Sequence, residues 1–145
     1  MIKIEQTVVI NRPIEEVFAF LANPENTPLW AAAVKETKLT SEGPIGVGTT
    51  YNLVLEFLGR RIENNYEFTE YEPNSKYSNK TISGPMSEEE STTLKAVEGG
   101  TEVTITAKVD AAGLFKLAEP VVARMANRQV ETDIQNLKDL LEAQA

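Results

Sequence analysis

The chain has 145 residues, and its 14 Lys and Arg against 22 Asp and Glu give a formal net charge of −8 at pH 7. It contains no Cys and no His, so disulfides, thiolate nucleophiles and histidine bases are excluded, and a zinc site would have to use carboxylates alone. An acidic chain is a poor match for the phosphate backbone, and we therefore expect no nucleic-acid partner.

Length and composition favour one globular domain over residues 1–145. Hydrophobic residues make up 41% and charged residues 25%, which are ordinary values for such a domain. Glu5 and Gln6 interrupt the apolar opening segment, and no apolar stretch approaches the ~20 residues that span a bilayer. We expect a cytoplasmic protein without a membrane span, either a monomer or a homodimer.

The opening segment predicts a strand followed by two short helices. Apolar residues recur at every second position, the period of a strand with one buried face. They are Ile2, Ile4, Val8 and Ile10. Pro13 suits the first turn of a helix, and Pro24 ends that helix because the residue before a proline is forced out of helical geometry. A second short helix or turn is expected to end near Trp30.

Six further strands are predicted, separated by turns rich in Gly, Pro, Asn and Ser. They cover residues 34–40, 49–58, 61–71, 76–83, 86–97 and 101–110. The last strand is the clearest, because Val103, Ile105, Ala107 and Val109 alternate with polar residues. The short turns between successive strands indicate an antiparallel meander with one buried face.

The C-terminal segment has the period of a helix. Proline fits only the first turn, so the helix is predicted to begin at Glu119-Pro120 and to reach Gln144. Its apolar stripe is expected at Leu117, Val121, Met125, Ile134, Leu137 and Leu141. The elements together predict an α+β fold, in which a curved antiparallel sheet of about seven strands wraps around this helix.

A strongly twisted sheet cannot close everywhere along one helix, so the space between them is either a filled core or a cavity. The inward positions mix apolar and polar side chains, which favours a small-molecule cavity. The predicted ligand contacts are Tyr66, Phe68, Tyr77, Asn79, Thr92, Leu94, Val121, Met125 and Gln129. The alternative is that the polar residues lie at strand ends, or that a bulge changes which face they occupy.

Without histidine, acid–base chemistry would depend on Asp, Glu, Lys or Tyr. The run of Glu88, Glu89 and Glu90 is interpreted as a solvated edge strand, and we predict that neither Glu88 nor Glu90 has a strongly shifted pKa. The alternative places Glu88 and Glu90 in the cavity, where repulsion would raise one pKa. Arg128 is either a solvated flank or a cation that holds a ligand carboxylate or enolate. Tyr66, Glu90 and Arg128 are the candidate catalytic residues.

Short motifs are spread along the whole chain in a fixed order. They are residues 8–18 (VVINRPIEEVF), 23–26 (NPEN) with Trp30, 46–49 (GVGT), 71–73 (YEP), 99–101 (GGT) and 133–138 (DIQNLK). Together they resemble the START-related SRPBCC superfamily and, within it, the polyketide cyclase/dehydrase-like proteins. The resemblance implies a helix-grip fold with a deep apolar cavity, whose entrance is bordered by the loop at residues 46–48.

The resemblance leaves several functions open, since similar proteins include ligand carriers and cyclases. The leading hypothesis is a carrier-like protein that binds a small hydrophobic or aromatic molecule. One alternative is a cyclase or dehydratase of the polyketide type that needs no cofactor. The other is a protein-interaction module. No metal or cofactor is expected in any of these cases.

Overall fold

The computed structural model of the chain describes residues 1–111 and 113–144. The elements follow the predicted order of strand, two short helices, six strands and one long helix. They are β1 (Ile2–Ile10), α1 (Ile14–Leu21), a 3₁₀ helix (Pro24–Leu29), β2 (Val34–Leu39), β3 (Thr50–Phe57), β4 (Arg60–Glu72), β5 (Lys76–Ser83), β6 (Ser87–Val97), β7 (Gly100–Asp110) and α2 (Glu119–Glu142).

The seven strands form one antiparallel sheet in the order β1-β7-β6-β5-β4-β3-β2. Strands β2 to β7 are a meander, and β1 joins it by pairing with β7 from Ile2↔Val109 to Ile10↔Thr101. The sheet curls around α2, which confirms the predicted helix-grip fold. Strands β1 and β2 form the two edges, so the strand that carries the glutamate run, β6, lies in the interior of the sheet.

Helix α2 lies along the edge strand β1 and runs in the same direction. Near its start, Glu119 accepts a hydrogen bond from the amino terminus of Met1 at 2.8 Å. Near its end, Lys138 Nζ donates to the carbonyl oxygen of Val9 at 2.7 Å. The helix is therefore fixed to one side of the sheet over almost its whole length.

Two apolar clusters fill the two ends of the space between α2 and the sheet. One joins α1 to the C-terminal half of α2, with Phe18, Ile134 and Leu137 among its buried members. The other joins β1 and β7 to Val122 in the N-terminal half of α2 and to Phe115 in the segment before the helix. Members of both clusters line an open space between α2 and the sheet.

The predicted apolar stripe of α2 is wrong in its N-terminal half. Val121 is 37% exposed and Met125 is 39% exposed, whereas the neighbouring Val122 is buried. Counting back from the buried Ile134 in steps of four residues leads to 130, 126 and 122, and this series faces the sheet. Val121 and Met125 lie one position out of phase with it and point to solvent.

The C-terminal half of α2 gives a test of the fold. Leu137 has no exposed surface, so Leu137→Ala is expected to lower the free energy of unfolding by about 2–5 kcal/mol through lost apolar contact and a residual cavity. The measurement is urea denaturation followed by circular dichroism. The neighbouring Asn136→Ala is the control, since Asn136 is exposed, and equal effects of the two changes would contradict this packing.

Candidate functional site

A cavity of about 220 Å³ lies between α2 and the concave face of the sheet. Its wall is mostly apolar, with side chains such as Ile4, Leu53, Phe68 and Val122. The volume is several times the ~30 Å³ that one water molecule takes up in the liquid, so the cavity has room for a small organic molecule. The predicted cavity is therefore present.

A small number of polar side chains interrupt this apolar wall. Three are the tyrosine side chains Tyr51, Tyr66 and Tyr77, from three adjacent strands. The others include Asn79 on β5, Glu88 and Glu90 on β6, and Gln129 and Asp133 on α2. An apolar cavity with a few convergent polar groups is the usual composition of a small-molecule site.

Strand register places Glu88 and Glu90 in the wall of the cavity. Glu90 pairs with Asn79 on one side and with Ala107 on the other. Glu88 lies two residues earlier on the same face and pairs with Val109. The interpretation of the glutamate run as a solvated edge strand is therefore wrong for Glu88 and Glu90, and of the three only the exposed Glu89 points to the outer face.

The apolar surroundings change the acidity of both carboxyl groups. Burial raises the pKa of Glu88 to about 7, and hydrogen bonding from the Tyr66 hydroxyl opposes part of that rise. Burial also raises the pKa of Glu90 to about 8, with a further contribution from the charge of Glu88. The prediction that neither pKa is strongly shifted is wrong, because the strand presents both groups to a poorly solvated space.

Tyr66 is held in place by a buried amide. Asn64 Nδ2 donates to the carbonyl oxygen of Met86 at 2.7 Å and to the Tyr66 hydroxyl at 3.2 Å. Gly84 makes room for this amide, since a Cβ at that position would lie 2.0 Å from Asn64 Oδ1. The Tyr66 hydroxyl thus accepts one bond and keeps its own proton for Glu88 or for a ligand.

The other two tyrosines, Tyr77 and Tyr51, make different contacts in the protein. Tyr77 donates its hydroxyl proton to the carbonyl oxygen of Leu21 at 3.1 Å, so it mainly joins β5 to α1. Tyr51 stacks on Tyr66, with ring centroids 5.2 Å apart and planes at 13°. Burial raises the pKa of all three hydroxyls, which keeps them neutral at physiological pH.

Asn79, whose side chain lines the cavity, has an unused hydrogen-bond acceptor. Its side chain is buried, and Oδ1 has no hydrogen-bond partner within residues 1–111 and 113–144. An unpartnered buried amide oxygen costs on the order of 1–3 kcal/mol. A water molecule or a ligand group that donates a proton would remove this cost.

Asp133 joins α2 to the loop that follows the 3₁₀ helix. Its Oδ1 accepts from the backbone N–H of Ala32 at 3.1 Å and from Gln129 Nε2 at 2.9 Å. Burial raises the pKa of Asp133, and these two hydrogen bonds lower it in part. This contact connects the helix to the side of the fold opposite β1, beside the cavity.

The predicted site residues fall into three groups. Those that line the cavity are Tyr66, Phe68, Tyr77, Asn79, Glu90 and Gln129. Thr92 and Leu94 face inwards, as predicted, but are buried beside the cavity rather than in its wall. Val121, Met125 and Arg128 are exposed on α2 and do not reach it. The predicted ligand contacts of Val121 and Met125 are therefore wrong, and of the two interpretations of Arg128 the solvated flank agrees with its exposure, while a role at the cavity does not.

Sequence reasoning missed Tyr51, Asp133 and the helix residues Val122, Ala126 and Val130. A signal for Tyr51 was present, because it has the same parity in its strand as Leu53. Asp133 could have been found from its place next to Ile134 in the buried stripe and four residues after Gln129. On α2 the small Ala126 and the charged Asp133 line the cavity, whereas the larger and more hydrophobic Met125 does not.

The raised pKa values of Glu88 and Glu90 can be tested through the pH dependence of the free energy of unfolding. A carboxyl whose pKa is raised by folding binds more protons in the folded state, so the free energy of unfolding falls as pH rises from about 4.5 to about 8. Replacing both groups in E88Q/E90Q removes this slope. Relative to the native chain, we expect the variant to gain at pH 8, over its value at acid pH, at least the roughly 1.4 kcal/mol that corresponds to one pKa unit.

Urea denaturation across this pH range measures the effect. Glu89→Gln on the outer face of the same strand is the matched control, and it should keep the slope of the native chain. Parallel pH profiles for the native chain and E88Q/E90Q would show that the two carboxyl groups ionise normally.

Two further surveys concern metals and membranes. Within the residues that the structure describes, no group of three or more Asp and Glu side chains is placed to hold a metal ion. Among the described helices, none is both long and apolar enough to cross a bilayer.

Comparison with known proteins agrees with this geometry. The sequence profile of the family described as "Polyketide cyclase / dehydrase and lipid transport" matches residues 1–142. Among proteins with curated descriptions, none matches the sequence.

Solved structures share the fold at low sequence identity. A START superfamily protein from Mycobacterium smegmatis superposes with a TM-score of 0.84 at 15% identity, over 100% of both chains. A protein from Thermus thermophilus gives 0.83 at 16% identity, over 99% of both chains. The Zhui aromatase/cyclase from a Streptomyces species gives 0.76 at 16% identity, over 97% of this chain and 93% of that one. With its profile match over almost the whole length, the chain belongs to the polyketide cyclase/dehydrase and lipid transport family.

Proposed function

We propose that the protein binds a small, mostly apolar molecule in the cavity between α2 and the sheet. The observation that carries the proposal is the cavity of about 220 Å³, whose wall is apolar apart from a few inward polar groups. Each Å² of apolar ligand surface that leaves water contributes about 25 cal/mol. A ligand of modest size would therefore gain enough for binding even after the entropic costs of association.

The same wall can orient such a ligand. The stacked rings of Tyr51 and Tyr66 offer a flat aromatic surface, against which an aromatic ligand can pack with its ring offset. Asn79 Oδ1 and the Tyr66 hydroxyl supply hydrogen bonds in the same wall. This arrangement supports a ligand that is aromatic in part and carries at least one polar group.

A larger side chain that fills the cavity from the helix should weaken ligand binding. Ala126 lines the cavity from α2, whereas its neighbour Met125 is exposed and does not line the cavity. Ala126→Phe is expected to weaken binding of the neutral fluorescent probe N-phenylnaphthylamine by at least about tenfold, a difference of ~1.4 kcal/mol. Met125→Phe, the matched control, should bind like the native chain.

Fluorescence titration gives the affinities, and circular dichroism shows whether each variant is folded. If Ala126→Phe is unfolded, Val130→Phe on the next turn tests the same wall. Native-like probe binding by a folded cavity-filling variant would place the probe elsewhere and would contradict the proposed site.

A second candidate function rests on the paired carboxyl groups. Two acids whose pKa values are raised near neutrality can share one proton, as general acid–base catalysis requires. Glu88 carries the charge more readily, because the Tyr66 hydroxyl hydrogen-bonds its carboxylate. We assign Glu88 the role of base and Glu90 that of acid in an elimination of water.

The proposed elimination acts on a β-hydroxy ketone. The Glu88 carboxylate takes the proton from the carbon next to the ketone, and the electron pair of that C–H bond forms the new C=C bond. The C–O bond to the hydroxyl group breaks, and the proton of neutral Glu90 leaves with that oxygen as water. The pair ends with its single proton on Glu88, and exchange with solvent restores the starting state, so no cofactor is consumed.

The aldol of benzaldehyde and acetone is a small aromatic substrate of this class, and its conjugated product absorbs in the near ultraviolet. We expect Glu90→Gln to lower the rate of product formation by about 100-fold or more, with binding of N-phenylnaphthylamine unchanged. Glu89→Gln should have the native rate. Absence of product with the native chain, or equal rates for the native chain and Glu90→Gln, would leave binding alone as the function.

The protein-interaction hypothesis stays a prediction.

A further inference from the structure

The carboxyl groups of the cavity have no positive partner in the described part of the protein. Glu88 and Glu90 lie in the wall, and Asp133 lies at its edge on α2. None of the described residues that line the cavity is Lys or Arg. We propose that the physiological ligand is cationic, an aromatic or otherwise apolar amine whose ammonium group lies between Glu88, Glu90 and Asn79; this rests on the proposed binding function.

Two basic side chains, one just before α1 and one on α2, already form ion pairs with other carboxylates. Arg12 pairs with Glu16 at 2.7 Å and Lys138 with Glu142 at 2.6 Å, both outside the cavity. A carboxylate in an apolar space is expensive unless an opposite charge or several hydrogen bonds accompany it. The ammonium group of a ligand would supply the opposite charge and the hydrogen bonds, and it could supply them to Glu88 and Glu90 together.

Asn79 provides an independent indication. Its Oδ1 is buried and without a partner in the described part of the chain, and its strand position is directly opposite Glu90. An ammonium group has three N–H donors and no acceptor. Two carboxylates and one amide oxygen are three acceptors in one place, which matches that donor set.

The aromatic wall favours a cation as well. Tyr51 and Tyr66 present their stacked rings to the same space, and Tyr77 lies in the wall beside them. The faces of aromatic rings attract cations, and this attraction strengthens when water is excluded. A neutral apolar ligand would gain from the rings but not from the unpaired acceptors.

No basic side chain in the described wall offsets the negative charge of the carboxyl groups. Around the two glutamates, β1 and β7 contribute the apolar Ile4, Ile105 and Val109, and α2 contributes Val122 and Ala126 before Asp133. The titratable groups that face the pair are the hydroxyls of Tyr51, Tyr66 and Tyr77 and the carboxyl of Asp133. All of these are neutral or negative near pH 7, so an anionic ligand such as a fatty-acid carboxylate is disfavoured.

Binding of a cation should be linked to protons. Because burial holds the pKa of Glu88 and Glu90 near or above neutrality in the empty cavity, a cationic ligand must displace a proton from the pair. Amine affinity is therefore expected to rise with pH across the titration of these carboxyls, and to fall again where the amine itself loses its charge. A neutral ligand should show neither change.

Three probes of nearly equal shape and different charge test the inference: naphthylmethylamine, naphthylmethanol and naphthoate. Calorimetric titration of the full chain at pH 8 should give at least about tenfold tighter binding of the amine than of the alcohol, with naphthoate the weakest. Titration in two buffers of different ionisation heat should show proton release with the amine and none with the alcohol.

The variant E88Q/E90Q should reduce the preference for the amine over the alcohol to about twofold or less. Glu89→Gln is the control and should keep the full preference. If the double variant does not fold, E90Q alone and the proton release of the native chain carry the test. Equal binding of amine and alcohol by the native chain, or a preference that E88Q/E90Q retains, overturns the inference and leaves the proposed binding function standing. Failure of all three probes and of N-phenylnaphthylamine to bind would overturn the binding function itself.

Discussion

One helix covers a sheet that is much wider than the helix. Seven strands about 4.8 Å apart would extend over roughly 29 Å if the sheet were flat, whereas a helix with its side chains is about 10–12 Å across. Hydrogen bonds at Glu119 and at Lys138 hold α2 against the edge strand β1, and Asp133 joins it to the opposite side at Ala32. The curled sheet cannot collapse onto a helix fixed in this way, so an open space between them follows from the connectivity.

That space determines the chemistry of the residues around it. Glu88 and Glu90 would be ordinary acids on the outer face of β6, where Glu89 lies, but on the inner face burial raises their pKa values. Apolar residues at both positions would make the fold more stable near pH 8, since they carry no desolvation cost. Asn79 adds a third unfavourable group to the same place. Sites that lose stability in this way are where binding or catalysis is expected.

The fold was predictable from the sequence because local signals agreed with one another. Alternation of apolar residues, turn residues between strands and a proline at the start of α2 each define one element without knowledge of the others. The site was less predictable, because two signals conflicted on β6. Parity with Leu94 and Thr92 placed Glu88 and Glu90 inside, whereas their charge favoured solvent, and parity was the correct guide. On α2, hydrophobicity favoured Met125, whereas the regular step of four residues from Ile134 identified the smaller Ala126.

The two uses proposed for the carboxyl pair require different numbers of protons. Elimination of water needs one proton shared by Glu88 and Glu90, because one group must accept a proton while the other donates. An ammonium ligand instead favours the doubly ionised pair, which has no proton to donate. The same cavity therefore cannot bind an amine and act as the acid–base catalyst at one time, and a bound amine would inhibit the elimination. The charge of the occupant, acting through the low dielectric of the apolar wall, decides which of the two chemistries the pair can support.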